Sequence, residues 1–165
     1  MTGGVKVASL FLKPGEIVVS AHPVAVTTLL GSCVAVTMFS PRHRIGAICH
    51  GLLPNCRKDP DCCEGSSKGG KYVECAIRLM LKGLTEWGVL RGDILAKVFG
   101  GSDMFDTEGR SRSVGRQNIE MALSLLEKES IRVVTQDLGG DRGRKIVFHT
   151  YSGEVFLKRL KKTEV

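Results

Sequence analysis

Apolar positions along this chain follow two spacings, and the change from one to the other marks the elements. Short β-branched runs at 16–19 (EIVV), 34–39 (VAVTMF) and 45–49 (IGAIC) have strand composition. Ser40-Pro41-Arg42-His43, between the last two runs, predicts a tight turn with proline at its second position, hence a hairpin. From Lys71 onward Tyr72, Ala76, Met80, Leu84 and Trp87 recur every three or four residues, with Val73, Ile77 and Leu81 beside them. That spacing predicts an amphipathic helix to about residue 87. Ile119, Ala122, Leu123 and Leu126 mark a second helix from roughly 114 to 129. ILAKVF (94–99) predicts a strand, and IRVVTQDL, RKIVFHTY and EVFLKRL three more, the last two joined at Ser152-Gly153 by a two-residue hairpin signal.

Strands grouped in hairpins around two helices imply an α+β fold, with mixed, largely antiparallel sheets packed against helices in a layered sandwich, instead of a parallel βαβ repeat. PNCRKDPDCCEGSSKGG (54–70) consists of turn-formers and charges and is expected to be a surface loop. The 165 residues fit a single domain spanning 1–165, large enough to need no disulfide or metal.

Charge narrows the partners. Lys and Arg number 24 against 17 Asp and Glu, a balance of +7 that favours an acidic partner. Aromatic residues are only 5% of the chain, and the basic clusters Arg110-Ser-Arg112, Arg142-Gly-Arg144-Lys145 and Lys158-Arg-Leu-Lys161-Lys162 contain no rings on which bases would stack, so no nucleic-acid partner is expected. The apolar stretch before Lys13-Pro14-Gly15 is shorter than a signal-peptide core or a membrane span. The expectation is a cytoplasmic protein without membrane insertion, its six cysteines mostly reduced. Cys56, Cys62 and Cys63 form no CxxC, and no histidine lies within 51–148, so no metal is expected.

The segment LGSCVAVTMFSPRHRIGAICHG (30–51) carries the candidate chemistry. With the turn centred on Pro41-Arg42, facing residues have numbers summing to 83, which places Cys33 opposite His50. A thiol within reach of an imidazole gives a Cys-His pair, in which a thiolate beside an imidazolium alkylates faster than an ordinary thiol. Gly31 and Ser32 allow a tight bend before the cysteine, so amides near residues 32 and 33 could hold an oxyanion. Thr27, Thr28 and Ser32 are each candidates to accept a hydrogen bond from the far imidazole N–H. The glycine-rich stretches at 99–105 and 138–143, including Gly100 and Gly101, match no phosphate or dinucleotide loop and are expected to line the site or simply to turn the chain.

The motifs LGSCVAV, HGLLP, KYVECAI, KVFGGSDMF, VGRQN and GGDRGRKIVFHTYSGEV, in this order, resemble the CheD family of chemoreceptor glutamine deamidases. The resemblance runs from about residue 15 to 160. It implies a cofactor-free cysteine hydrolase that converts glutamines of chemoreceptor cytoplasmic domains to glutamate with release of ammonia, through a thioester. Position by position it implies Cys33 as nucleophile, His50 as base and Thr27 as the group that orients the imidazole. It also implies the chemotaxis phosphatase CheC as a second partner. A non-catalytic adaptor binding receptors or CheC is the alternative from a different class, and a thiol protease or esterase uses the same dyad.

Overall fold

The computed structural model describes residues 6–56, 69–103 and 113–161. Among these the chain forms nine strands: β1 (Ala8–Phe11), β2 (Ile17–Ser20), β3 (Val24–Leu30), β4 (Val34–Ser40), β5 (Ile45–Gly51), β6 (Leu95–Gly100), β7 (Arg132–Leu138), β8 (Arg144–His149) and β9 (Val155–Arg159). Two helices, α1 (Val73–Glu86) and α2 (Val114–Lys128), complete it. One sheet has the order β1-β3-β8-β9 and the other β2-β5-β4-β6-β7. Pairing is antiparallel except at β1–β3 and β6–β7. The fold is mixed α+β, as the pattern of the chain predicts.

Alternation along the strands builds two apolar layers on the two faces of the five-stranded sheet. Val34, Val36 and Met38 of β4 and Ala47 and Cys49 of β5 pack with Val73, Ala76, Ile77, Met80 and Leu84 of α1 and Leu125 and Leu126 of α2. The residues between them, Ala35 and Ile48, pack instead with Val26 and Leu30 of β3 and Ile146 and Phe148 of β8 in the second sheet. The layers run four-stranded sheet, five-stranded sheet, helices. Strands β4 and β5 are buried along nearly their whole length because they lie in the middle layer, covered on both faces.

The β4–β5 hairpin departs from the expected turn. Ser40 pairs with Ile45 and Ala35 with His50, so facing residues sum to 85 and the connection spans four residues, not two. Ser40 causes the lengthening. Its Oγ takes the backbone N–H of His43 at 3.3 Å, its carbonyl accepts from Arg44 N–H at 2.8 Å, and Arg44 closes the turn at φ 54°. Because the offset is two residues, an even number, every side chain keeps its expected face.

Strands β1 and β3 have no counterpart in the periodicity reading. In β3 the residues Val26, Thr28 and Leu30 are buried while Thr27 and Leu29 face outward, so two adjacent threonines break the apolar alternation.

Candidate active site

The site forms where the β4–β5 ladder ends. Its last pair is Val34↔Gly51. Cys33 precedes it directly, and His50 pairs with Ala35 two residues further in. Cys33 and His50 are therefore diagonal neighbours, not directly opposed. Cys33 packs against the same inter-sheet cluster as Ala35, which puts thiol and imidazole on one face of the sheet. Cβ atoms of such diagonal pairs lie somewhat under about 8 Å apart, within reach of long side chains.

His50 is only 2% exposed. Its backbone is held by the turn that leads into β2, with Gly15 N–H donating to the His50 carbonyl at 2.8 Å. The Thr28 hydroxyl lies 2.7 Å from its Nδ1, and the same hydroxyl donates to the Leu12 carbonyl at 2.8 Å. A threonine has one hydroxyl proton, and a carbonyl can only accept it. Thr28 Oγ1 must then accept from Nδ1–H, which leaves the lone pair on Nε2, the tautomer a proton acceptor requires.

The hydroxyl on the imidazole thus belongs to Thr28, where the resemblance points to Thr27. The reason is strand parity. Thr27 pairs with Phe11 and Val147 and projects from the outer face of the four-stranded sheet, away from His50. Residue reading alone leaves Thr27, Thr28 and Ser32 open, and the β3–β8 register decides among them.

Electrostatics corrects a second expectation. Burial pushes the Cys33 thiol up, partly opposed by a hydrogen bond from its own backbone. Burial also pushes the His50 imidazole down from 6.5 to about 4. Both shifts disfavour charge and so favour thiol and imidazole over thiolate and imidazolium. Cys49 next to His50 is fully buried on the helix-facing side, its thiol pushed up to about 12.

Behind the nucleophile loop, Gly101 N–H donates to the Cys33 carbonyl at 2.9 Å and Ser102 N–H to the Gly31 carbonyl at 3.0 Å. Gly100 sits at φ 107°, and a Cβ there would collide with the Cys33 carbonyl oxygen. Gly100 and Gly101 therefore brace the loop from behind, and the Gly101 amide is already spent. Among the described residues, the amides of Ser32 and Cys33 donate to no backbone carbonyl, and the Cys33 amide faces its own thiol.

The sequence reading assigns no role to Asn118 of the VGRQN motif, which is fully buried against this loop. Cys33 and Cys49 are free thiols, whereas Cys75 on α1 is disulfide-bonded, so the expectation of mostly reduced cysteines does not extend to every one of them. Cys62, Cys63 and the tip of the 99–105 stretch lie outside the described residues. No cluster of three metal-ligating side chains exists among the described residues, and no helix there is long and apolar enough to cross a membrane.

A free thiol, a buried imidazole with its tautomer fixed by a hydroxyl, and amides beside the thiol that donate to no backbone carbonyl are the parts that acyl transfer through a cysteine nucleophile requires. Comparison with known proteins gives the family. The model of the family described as CheD chemotactic sensory transduction matches residues 52–159. A Geobacter sulfurreducens protein named "Probable chemoreceptor glutamine deamidase CheD 2" is 42% identical over 159 residues, covering 96% of this chain and 94% of its own. Similarly named CheD proteins are 40% identical in Maridesulfovibrio salexigens (93% of this chain, 92% of that one) and 35% in Methanococcus vannielii (91% and 94%). The chain belongs to the CheD family.

Proposed function

We propose that this protein is a protein-glutamine deamidase acting on the cytoplasmic domains of chemoreceptors; its relatives are named probable chemoreceptor glutamine deamidases. The observation that carries the mechanism is the buried Leu12–Thr28–His50 relay on the face that also holds Cys33.

In this reading Cys33 Sγ attacks the glutamine side-chain carbonyl carbon as His50 Nε2 takes the thiol proton, so the neutral resting pair becomes charged only during the reaction. The oxyanion forms against the Ser32 and Cys33 amides. His50 then protonates the departing nitrogen, ammonia leaves, and a thioester remains. Water, deprotonated by His50, adds to the thioester carbon, the C–S bond breaks, and glutamate and the Cys33 thiol are restored. Thr28 accepts from Nδ1–H throughout and keeps the ring in one orientation. The +7 charge steers the enzyme toward acid-rich receptor helices. Residues 1–165 act as one domain, and CheC binding would be a separate property of the same surface.

The test is intact-mass analysis of a chemoreceptor cytoplasmic fragment incubated with the protein. A gain of about one mass unit per modified site, absent with Cys33→Ala, is expected. Binding of the fragment with no mass change overturns the deamidase reading and leaves the adaptor.

A further inference from the structure

Beyond the pair Val34↔Gly51 the two strands of the hairpin part, Ser32 on one side and Leu52 on the other. No backbone hydrogen bond joins these two residues, yet their carbonyls are held together. Asn118 Nδ2 donates to Ser32 O at 3.0 Å and to Leu52 O at 2.9 Å. Two carbonyls fix which end of the amide faces them, since neither can donate to Oδ1. Asn118 belongs to α2, whose Gly115, one turn earlier, meets the carbonyls of Gly101 and Ser102 so closely that a Cβ would sit 2.6 Å from each oxygen. The start of α2 is thereby pressed onto the three segments that surround Cys33.

We propose that Asn118 is a positioning residue for the Cys33–His50 pair: its carboxamide supplies the rung that follows the last backbone pair of β4 and β5, and so sets the nucleophile loop against the strand end that carries the imidazole. Its kinetic consequence rests on the deamidase reading.

Composition at the position supports a directional role. Asn118 is fully buried, and its Oδ1 has no partner among the described residues. A buried polar atom without a partner destabilises the fold, and an apolar residue of the same size would avoid that cost. What an apolar residue cannot supply is two N–H donors in a fixed planar fork. Aspartate has the same shape and no donor, whereas serine and threonine have one. The two accepting carbonyls lie next to Cys33 and two residues after His50, so loss of the fork frees both halves of the pair at once.

The test compares wild type with Asn118→Ser, which retains one donor and adds no bulk, and with Asn118→Asp. Three quantities are measured: kcat and KM for deamidation of a receptor cytoplasmic fragment, thermal midpoint, and amide hydrogen exchange at Gly101 and Ser102, whose N–H groups are bonded to the loop. The expected result for Asn118→Ser is a kcat lower by about tenfold or more with KM within about twofold. Exchange at Gly101 and Ser102 should be faster by about tenfold while the middle of β4 and β5 is unchanged. Asn118→Asp should lose more. The proposal is overturned if the folded Asn118→Ser protein keeps wild-type kcat and exchange, or if its activity falls only in step with its folded fraction. Should the wild type itself fail to deamidate, the deamidase reading falls alone, and the exchange measurement still decides whether Asn118 holds the loop.

Discussion

The two faces of the five-stranded sheet differ in what they bury. Toward the helices, β4 and β5 present Val34, Val36, Met38, Ala47 and Cys49 to an apolar cluster. Toward the other sheet they present Ala35, Ile48 and His50, and the layer between the sheets also takes in Thr28. Among the described residues, Cys49 lies on the first face and Cys33 on the second. Cys49 has the ordinary fate of a small buried residue, with its thiol pushed up to about 12 by burial. Cys33, at the open end of the other layer, is half-buried and shares its face with His50. The contrast is between a thiol enclosed by apolar side chains and one beside the strand end that carries an imidazole.

The strongest way to break this contrast is to exchange the roles of the two thiols. Cys33→Ala should abolish receptor deamidation, because among the described residues no other thiol shares the face of His50. Cys49→Ala should keep turnover while costing about 1–2 kcal/mol of stability for the small cavity it leaves. Peptide mapping after limited alkylation at pH 7 gives a second view. In the free protein Cys33 should react more slowly than a model thiol of pKa about 8.5, because its proton leaves only with the help of His50 during attack on substrate. Alkylation faster than the model thiol would mean a resting ion pair and would contradict the neutral site.

The next effect is a dependence of stability on pH. The unfolded chain protonates His50 below about pH 6.5, whereas the folded chain does so only near pH 4. Between these values the unfolded state binds more protons, so this contribution is complete above pH 6.5 and is lost as pH falls toward 4, by about 3 kcal/mol at most. Urea titrations across that range measure it, and His50→Gln should flatten the slope. The acidic limb of kcat/KM should follow the same group.

Much of this arrangement is legible in the chain. Spacing alone finds both helices and the β4–β5 hairpin, because the middle-layer strands and the amphipathic helices carry strong apolar periodicity. The pairing of Cys33 with His50 on one face survives an incorrect register, since a turn misjudged by two residues preserves side-chain parity. What the chain conceals are contacts set by tertiary register. Strand β3 is hidden by two adjacent threonines, and which of them faces inward follows from pairing with β8, far away in sequence. Asn118 is invisible for the same reason: it acts on Ser32 and Leu52, 86 and 66 positions away. The neutrality of the pair is likewise a matter of burial, which spacing does not report.

The finest discrimination is between the two threonines. Thr28→Val keeps shape but removes the hydroxyl, leaving the Nδ1–H of buried His50 and the Leu12 carbonyl unpaired, which should cost about 1–3 kcal/mol. Turnover should fall by about tenfold or more as the tautomer and ring orientation are lost, while Thr28→Ser should retain most of it. Thr27→Val alters only the outer face of the four-stranded sheet, between Phe11 and Val147, and should change stability by no more than about 0.5 kcal/mol with near-normal turnover. Thermal midpoints and receptor deamidation rates for the three variants separate the two positions. If Thr27→Val were the damaging change and Thr28→Val silent, the Thr28–His50 bond would not be the one that orients the base. The difference between the layers would then lie in Cys33 and His50 alone.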